Sequence, residues 1–151
     1  MEHLVREQLV GAPLDEAFAF YGEPHNLERI TPRWLHFEIL EAPAALDEGA
    51  LLRYRLRLFG VRINWLTRID AWEPPHRFVD RQLSGPYRRW VHTHELETVE
   101  GGTLIRDRVE YAVPLAPLTR RPVARALRAI FDYRARATAA ALTAGNPRSG
   151  Y

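Results

Sequence analysis

The chain of 151 residues contains no cysteine. That excludes disulfides, thiolate nucleophiles, thiolate-built zinc fingers and iron–sulfur ligation in one step. Lysine is absent as well, so every one of the 21 basic residues is arginine. Schiff-base chemistry and the lysine of a phosphate-binding P-loop are thereby excluded. Serine occurs twice, at Ser84 in a Ser-Gly-Pro turn and at Ser149 near the end, and neither stands in a nucleophile motif. Long apolar runs are missing too. The opening residues Met1-Glu2-His3-Leu4-Val5-Arg6-Glu7 are too charged for a secretory segment, and no stretch approaches a membrane span. The expectation is a cytoplasmic protein with no integral membrane part.

Charge is nearly balanced, 21 basic against 19 acidic residues, a formal +2. A nucleic-acid binder shows a dense basic stripe. Here the arginines alternate with acids or apolar residues, apart from Arg88-Arg89 and Arg120-Arg121, so no nucleic-acid partner is expected. The length fits one domain, assigned to residues 1–144, with 145–151 as a flexible tail that should fray.

Residues 3–10 read as a strand ended by Gly11-Ala12-Pro13. Leu14 to Tyr21 reads as a short helix with acids in its first turn, and Pro24 to Arg29 as a second. A strand near 35–41 follows. Leu52, Tyr54, Leu56 and Leu58 then alternate with Arg53, Arg55 and Arg57, the period-two pattern of a half-buried strand. Beyond Phe59-Gly60 the alternation resumes through Val61, Ile63, Trp65, Thr67 and Ile69. Pairing Leu58 with Ile63 sets Leu56 opposite Trp65 and Tyr54 opposite Thr67. Trp72 falls on the polar-facing parity. Residues 77–83 resume the sheet, and 87–98 with 103–113 form the last hairpin.

Register decides what that hairpin does, because a one-residue slip exchanges its faces. Leu96 opposite Ile105 sets His94 against Asp107, His92 against Val109 and Trp90 against Tyr111, with Glu95 meeting Arg106 behind them. A slip sets Glu95 against Asp107, a like-charge contact, so the first register is preferred. From about Leu118, Val123, Leu127, Ile130 and Phe131 recur at helical spacing to about Thr143, with Pro122 in the first turn. The class is α+β: a curved antiparallel sheet of about seven strands wrapped around a long C-terminal helix, with two short helices after the first strand.

These residues resemble a known family. The order of elements is that of the helix-grip fold of the SRPBCC superfamily, which includes START-type lipid-transfer domains, polyketide cyclases and the birch-pollen allergen class. His25-Asn26-Leu27-Glu28-Arg29-Ile30-Thr31-Pro32-Arg33-Trp34-Leu35 resembles the segment after the first helices in a bacterial branch of it. Gly85-Pro86-Tyr87-Arg88-Arg89-Trp90-Val91-His92-Thr93-His94 resembles its central strand. Gly102-Thr103, Asp107, Tyr111 and Ile130-Phe131-Asp132-Tyr133-Arg134 complete a likeness spanning residues 2 to about 142. It implies an elongated cavity between sheet and helix that holds an apolar or amphipathic small molecule.

The residues themselves agree, since Tyr54, Trp65, Trp90, Tyr111 and Phe131 all point to one shared interior, into which the tyrosines and tryptophans bring polar tips. Ligand contact is expected from these five together with Leu56, His92, His94, Asp107 and Arg134. A buried Arg134 would need Asp107 or Asp80 as a partner, and a snorkelling Arg134 would need none. His92 and His94 lie about 7 Å apart along one strand face. With Asp107 opposite they read as a self-satisfied polar network, as an acid–base pair His94–Asp107, or as a two-histidine, one-carboxylate metal set. No cofactor is expected. The leading function is binding or transport of a hydrophobic small molecule such as a lipid, a quinone-like compound or a polyketide. The alternative is a cyclase or dehydratase using His94 and Asp107. Oligomeric state stays open, a homodimer included.

Overall fold

Period-two alternation through the middle of the chain becomes one antiparallel sheet in the computed structural model, which describes residues 1–144; the tail expected at 145–151 lies outside the described residues. Strand β1 (Glu2–Val10) is followed by helices α1 (Leu14–Gly22) and α2 (Asn26–Arg29) and a single 3-10 turn at Arg33–Leu35. Then come β2 (Glu38–Glu41), β3 (Leu51–Leu58), β4 (Val61–Glu73), β5 (Arg77–Ser84), β6 (Arg89–Val99), β7 (Gly102–Ala112) and helix α3 (Ala116–Ala144). The sheet order is β1-β7-β6-β5-β4-β3-β2, so β2 to β7 run as a meander and β1 returns to pair with β7. This is the α+β helix-grip fold.

The last hairpin pairs Leu96 with Ile105, His94 with Asp107, His92 with Val109 and Trp90 with Tyr111, the register that avoids a like-charge contact. The β3–β4 hairpin differs from expectation by two residues. Leu58 pairs with Val61, Leu56 with Ile63, Tyr54 with Trp65 and Leu52 with Thr67. The cause is the turn: Phe59 and Gly60 both take positive φ, 51° and 76°, which closes a two-residue loop of the kind that matches strand twist. Inward and outward faces are unaffected, because the shift is even.

Trp72 is a second correction. The β4–β5 register shifts between Ile69 and Ala71, and this irregularity reverses the parity beyond it. Trp72 therefore packs inward, 4.9 Å from the Phe18 ring and 5.3 Å from that of Phe78. A third correction concerns α3. The helix starts at Ala116, so Pro122 lies inside it and not in its first turn. Proline there withholds one backbone donor from the carbonyl four residues back, that of Leu118. Leu118 is exposed, so solvent can take that carbonyl's hydrogen bond instead.

Helix α3 lies on the inner face. Leu127, Phe131 and Leu142 are buried beneath it, Arg6 of β1 pairs with Asp132 at 2.6 Å, and the Gln8 side-chain amide donates to the Ala135 carbonyl at 3.0 Å. On the outer face Arg53 pairs with Glu41 and Arg55 with Glu38, while Arg57 faces Arg62. At the β6–β7 turn Gly102 has φ 145°, and a β-carbon built on it would stand 2.0 Å from the Val10 carbonyl oxygen. Gly102→Ala is expected to cost at least about 1–3 kcal/mol through backbone strain, read as a lower denaturant midpoint at unchanged slope.

Candidate functional site

Two apolar clusters fill the space between sheet and α3. One gathers Val10, Phe18, Phe20, Tyr21, Phe78, Leu96, Ile105 and Leu142 around α1. The other gathers Leu35, Leu56, Trp65, Trp90, Val109, Tyr111, Leu127 and Phe131, with Tyr54 packed against it. Between them run His92 and His94. Strand alternation puts both imidazoles on the inner face of β6, where their rings stack with centroids 3.6 Å apart. The His94 ring also lies on Phe78 at 3.8 Å, and His92 sits 5.4 Å from Phe131. The pair thus joins the clusters through ring contacts while carrying four nitrogens that need partners.

Two carboxylates meet those nitrogens from opposite sides. His92 Nε2 lies 2.8 Å from Asp107 Oδ1, and His94 Nε2 lies 2.7 Å from Asp80 Oδ2. The remaining nitrogens face the other acid: His94 Nδ1 is 3.1 Å from Asp107 Oδ1 and His92 Nδ1 is 3.6 Å from Asp80 Oδ2. His94 Nδ1 is buried and completes no hydrogen bond. The imidazole side chains are only 3% and 1% exposed, against 12% for Asp107 and 18% for Asp80.

Burial disfavours charge on every member of this set, and the partners decide which charges survive. At His94 burial pulls the pKa down, but the carboxylates of Asp107 and Asp80, each within 3.1 Å of a ring nitrogen, outweigh it and raise the pKa above the ordinary histidine value. At His92 burial and then the neighbouring His94 charge prevail, so its pKa falls. Burial would raise the Asp107 pKa; hydrogen bonds from His92 and His94 instead hold the carboxyl well below the usual carboxylate range. Asp80 is lowered as well, the charges of His92 and His94 overcoming its burial. The carboxylates thus favour their anionic forms, and of the two imidazoles His94 is the one whose charge its partners favour.

A cavity of about 160 Å³ opens between the sheet and α3, with walls that are mostly apolar and aromatic. Tyr54, Leu56, Trp65, Trp90, His92, His94, Phe131 and Arg134 line it. Asp107 and Tyr111 do not. Asp107 sits behind the imidazoles, and Tyr111 packs under Tyr87 with ring centroids 5.9 Å apart. Arg134 has no carboxylate within ion-pair distance among the described residues, neither Asp107 nor Asp80, and its guanidinium rests 5.7 Å from the Phe131 ring centroid.

Asp80, Phe78, Tyr21, Tyr87 and Thr67 also line the cavity and were not among the expected contacts. Asp80 is the important one. It arrives through the β5–β6 register, which pairs it with His92, a pairing that the charge pattern within one hairpin does not disclose. Burial pushes the phenols of Tyr21, Tyr54 and Tyr87 far above the ordinary tyrosine value, so all three remain neutral O–H groups. The Tyr54 hydroxyl lies 3.1 Å from that of Thr67, and the Trp65 indole N–H is buried with no partner among the described residues.

A curved sheet gripping a long helix over a mostly apolar cavity defines a helix-grip protein. The sequence matches the family model described as polyketide cyclase / dehydrase and lipid transport over residues 10–142, and the chain belongs to that family. No curated protein matches it. Among solved structures it is similar to the Zhui aromatase/cyclase of a Streptomyces species, with 17% identity, 99% of this chain and 98% of that one covered and a TM-score of 0.79. It is also similar to a Rhodobacter sphaeroides protein, with 26% identity, coverage of 95% and 94% and a TM-score of 0.70. Major latex-like protein 151 of Panax ginseng shares 14% identity over 93% and 97%, with a TM-score of 0.71. In the described residues no helix is long and apolar enough to cross a membrane.

Proposed function

We propose that the protein binds a hydrophobic small molecule carrying at least one oxygen acceptor, held between the sheet and α3. The observation that carries this reading is a cavity with mostly apolar, aromatic walls, one of whose lining residues, Trp65, has a buried indole N–H without a partner among the described residues. A dry apolar cavity of about 150 Å³ accepts one aromatic ring. Such a ring brings about 150–250 Å² of surface, worth about 4–6 kcal/mol at roughly 25 cal/mol per Å². A carbonyl or hydroxyl oxygen on the ligand would complete the orphaned donor, whose burial is otherwise unfavourable. Membership in a family of cyclases and lipid-transport proteins agrees with a ligand of this kind.

Native mass spectrometry of the purified protein, followed by extraction and titration of the recovered class of compound, tests the reading. Leu56→Trp, which fills the cavity from β3, should weaken binding at least about tenfold, a loss of about 1.4 kcal/mol. Trp65→Phe should weaken ligands that carry an oxygen acceptor about fivefold, about 1 kcal/mol, and leave those without one nearly unchanged. Equal affinity for wild type and Leu56→Trp would sink the proposal. Conversion of the bound molecule by wild type, and not by His94→Ala, would replace carriage by cyclase or dehydratase chemistry in the same cavity.

A further inference from the structure

We propose that Asp80, His92 and His94 form a site for one divalent transition cation of the zinc class on the cavity wall, with Asp107 orienting both imidazoles from behind. One donor atom from each of the three residues can be chosen so that all lie within 4.8 Å of one another. Asp80 Oδ2 stands 3.6 Å from His92 Nδ1 and 2.7 Å from His94 Nε2. Donors bound at about 2.0–2.2 Å to one cation lie about 3–3.5 Å apart, so a bound cation must part Asp80 from His94 and tilt the stacked rings until their lone pairs converge. Two imidazoles and one carboxylate suit a borderline transition cation, whereas calcium and magnesium prefer oxygen alone.

The single carboxylate of the expected metal set therefore changes identity, from Asp107 to Asp80. Asp107 is on the far side of both rings and cannot share a cation with their Asp80-facing nitrogens. Its place is the one that metal-bound histidines commonly supply, an acceptor for the other ring N–H that fixes tautomer and orientation. His92 Nε2–H already points to Asp107 Oδ1 at 2.8 Å. At His94 the unsatisfied Nδ1 lies 3.1 Å from the same oxygen. A cation on Nε2 leaves that ring's proton on Nδ1, where Asp107 can accept it.

Charge and access agree. Asp80 and Asp107 together neutralise a dication, and Arg134 lines the same cavity from α3, where it can attract an anionic oxygen. Asp80 and the imidazoles line the cavity while Asp107 does not, so the open coordination positions face the bound molecule. This site goes beyond apolar ligand binding and does not depend on it.

The test is titration of chelator-treated protein with Co²⁺, followed by its d–d absorption and by native mass. One Co²⁺ per chain with the intense bands of a low-coordinate nitrogen–oxygen site is expected. Asp107→Asn should weaken that binding about 10- to 100-fold, and Asp80→Asn, which removes a direct donor, should weaken it more. Absence of stoichiometric uptake by folded wild type overturns the proposal, as does uptake that neither substitution changes. If Asp80→Asn unfolds, imidazole NMR of wild type with Zn²⁺ decides. Selective shifts of His92 and His94 among the six histidines support the site, and shifts confined to the others overturn it.

Discussion

Asp107→Ala is expected to destabilise the protein by about 3–5 kcal/mol, the cost of deleting one partner from a buried charged network. Asp107 is 8% exposed, and its Oδ1 lies within 3.1 Å of a nitrogen on each of two buried imidazoles. Alanine leaves His92 Nε2 without an acceptor and takes from His94 one of the two acids that sustain its charge. Neither ring can turn to water, because they are stacked on each other and on Phe78. For a chain of this size the loss corresponds to a melting temperature lower by roughly 6–20 °C, at about 2–4 °C per kcal/mol. Asp107→Asn keeps an oxygen acceptor at the same place and should lose less. The check is paired denaturant unfolding of both variants. A cost below about 1 kcal/mol for alanine would mean that the network is not held by Asp107.

Phe131→Ala should cost a comparable 3–5 kcal/mol by a different route. Phe131 is 4% exposed, belongs to the cluster that includes Trp65 and Trp90, and carries Arg134 over its face. Truncation removes the main aromatic contact between α3 and His92 and leaves a void that joins the existing cavity. Because that space is already partly empty, the walls have little to collapse onto, which places the expected loss toward the upper end. Thermal unfolding measures the loss. Titration with a bulkier apolar compound provides a second reading, since the enlarged cavity should accept ligands that wild type refuses. A variant within about 1 kcal/mol of wild type would show that α3 is anchored elsewhere, through Leu127 and the Arg6–Asp132 pair.

What could be read from sequence follows the range of the interactions involved. The β6–β7 register was legible because a slip brings Glu95 against Asp107, an electrostatic penalty written into two neighbouring strands. The β3–β4 register was not, since positive φ at Phe59 is a conformation that a bulky residue rarely takes and that its identity does not announce. Trp72 was misplaced for a related reason: the irregularity between Ile69 and Ala71 has no residue signature of its own. At the site, His92 and His94 follow from strand periodicity alone. Asp80 requires the β5–β6 pairing, which no charge pattern within either strand specifies, so the sequence points to the acid behind the rings and not to the one on the cavity side.

The pairing of β1 with β7 has a kinetic consequence. Every other pair in the sheet joins strands adjacent in the chain, whereas β1 must find β7 across almost the whole sequence, bringing Val10 to Thr103 and Glu2 to Tyr111. Closing so large a loop is entropically slow, and contacts of high sequence separation govern folding rates. The meander is therefore expected to assemble first and β1 to register late. Amide protons of β1 should gain exchange protection after those of β6, and the seam between β1 and β7 should be where the sheet first opens.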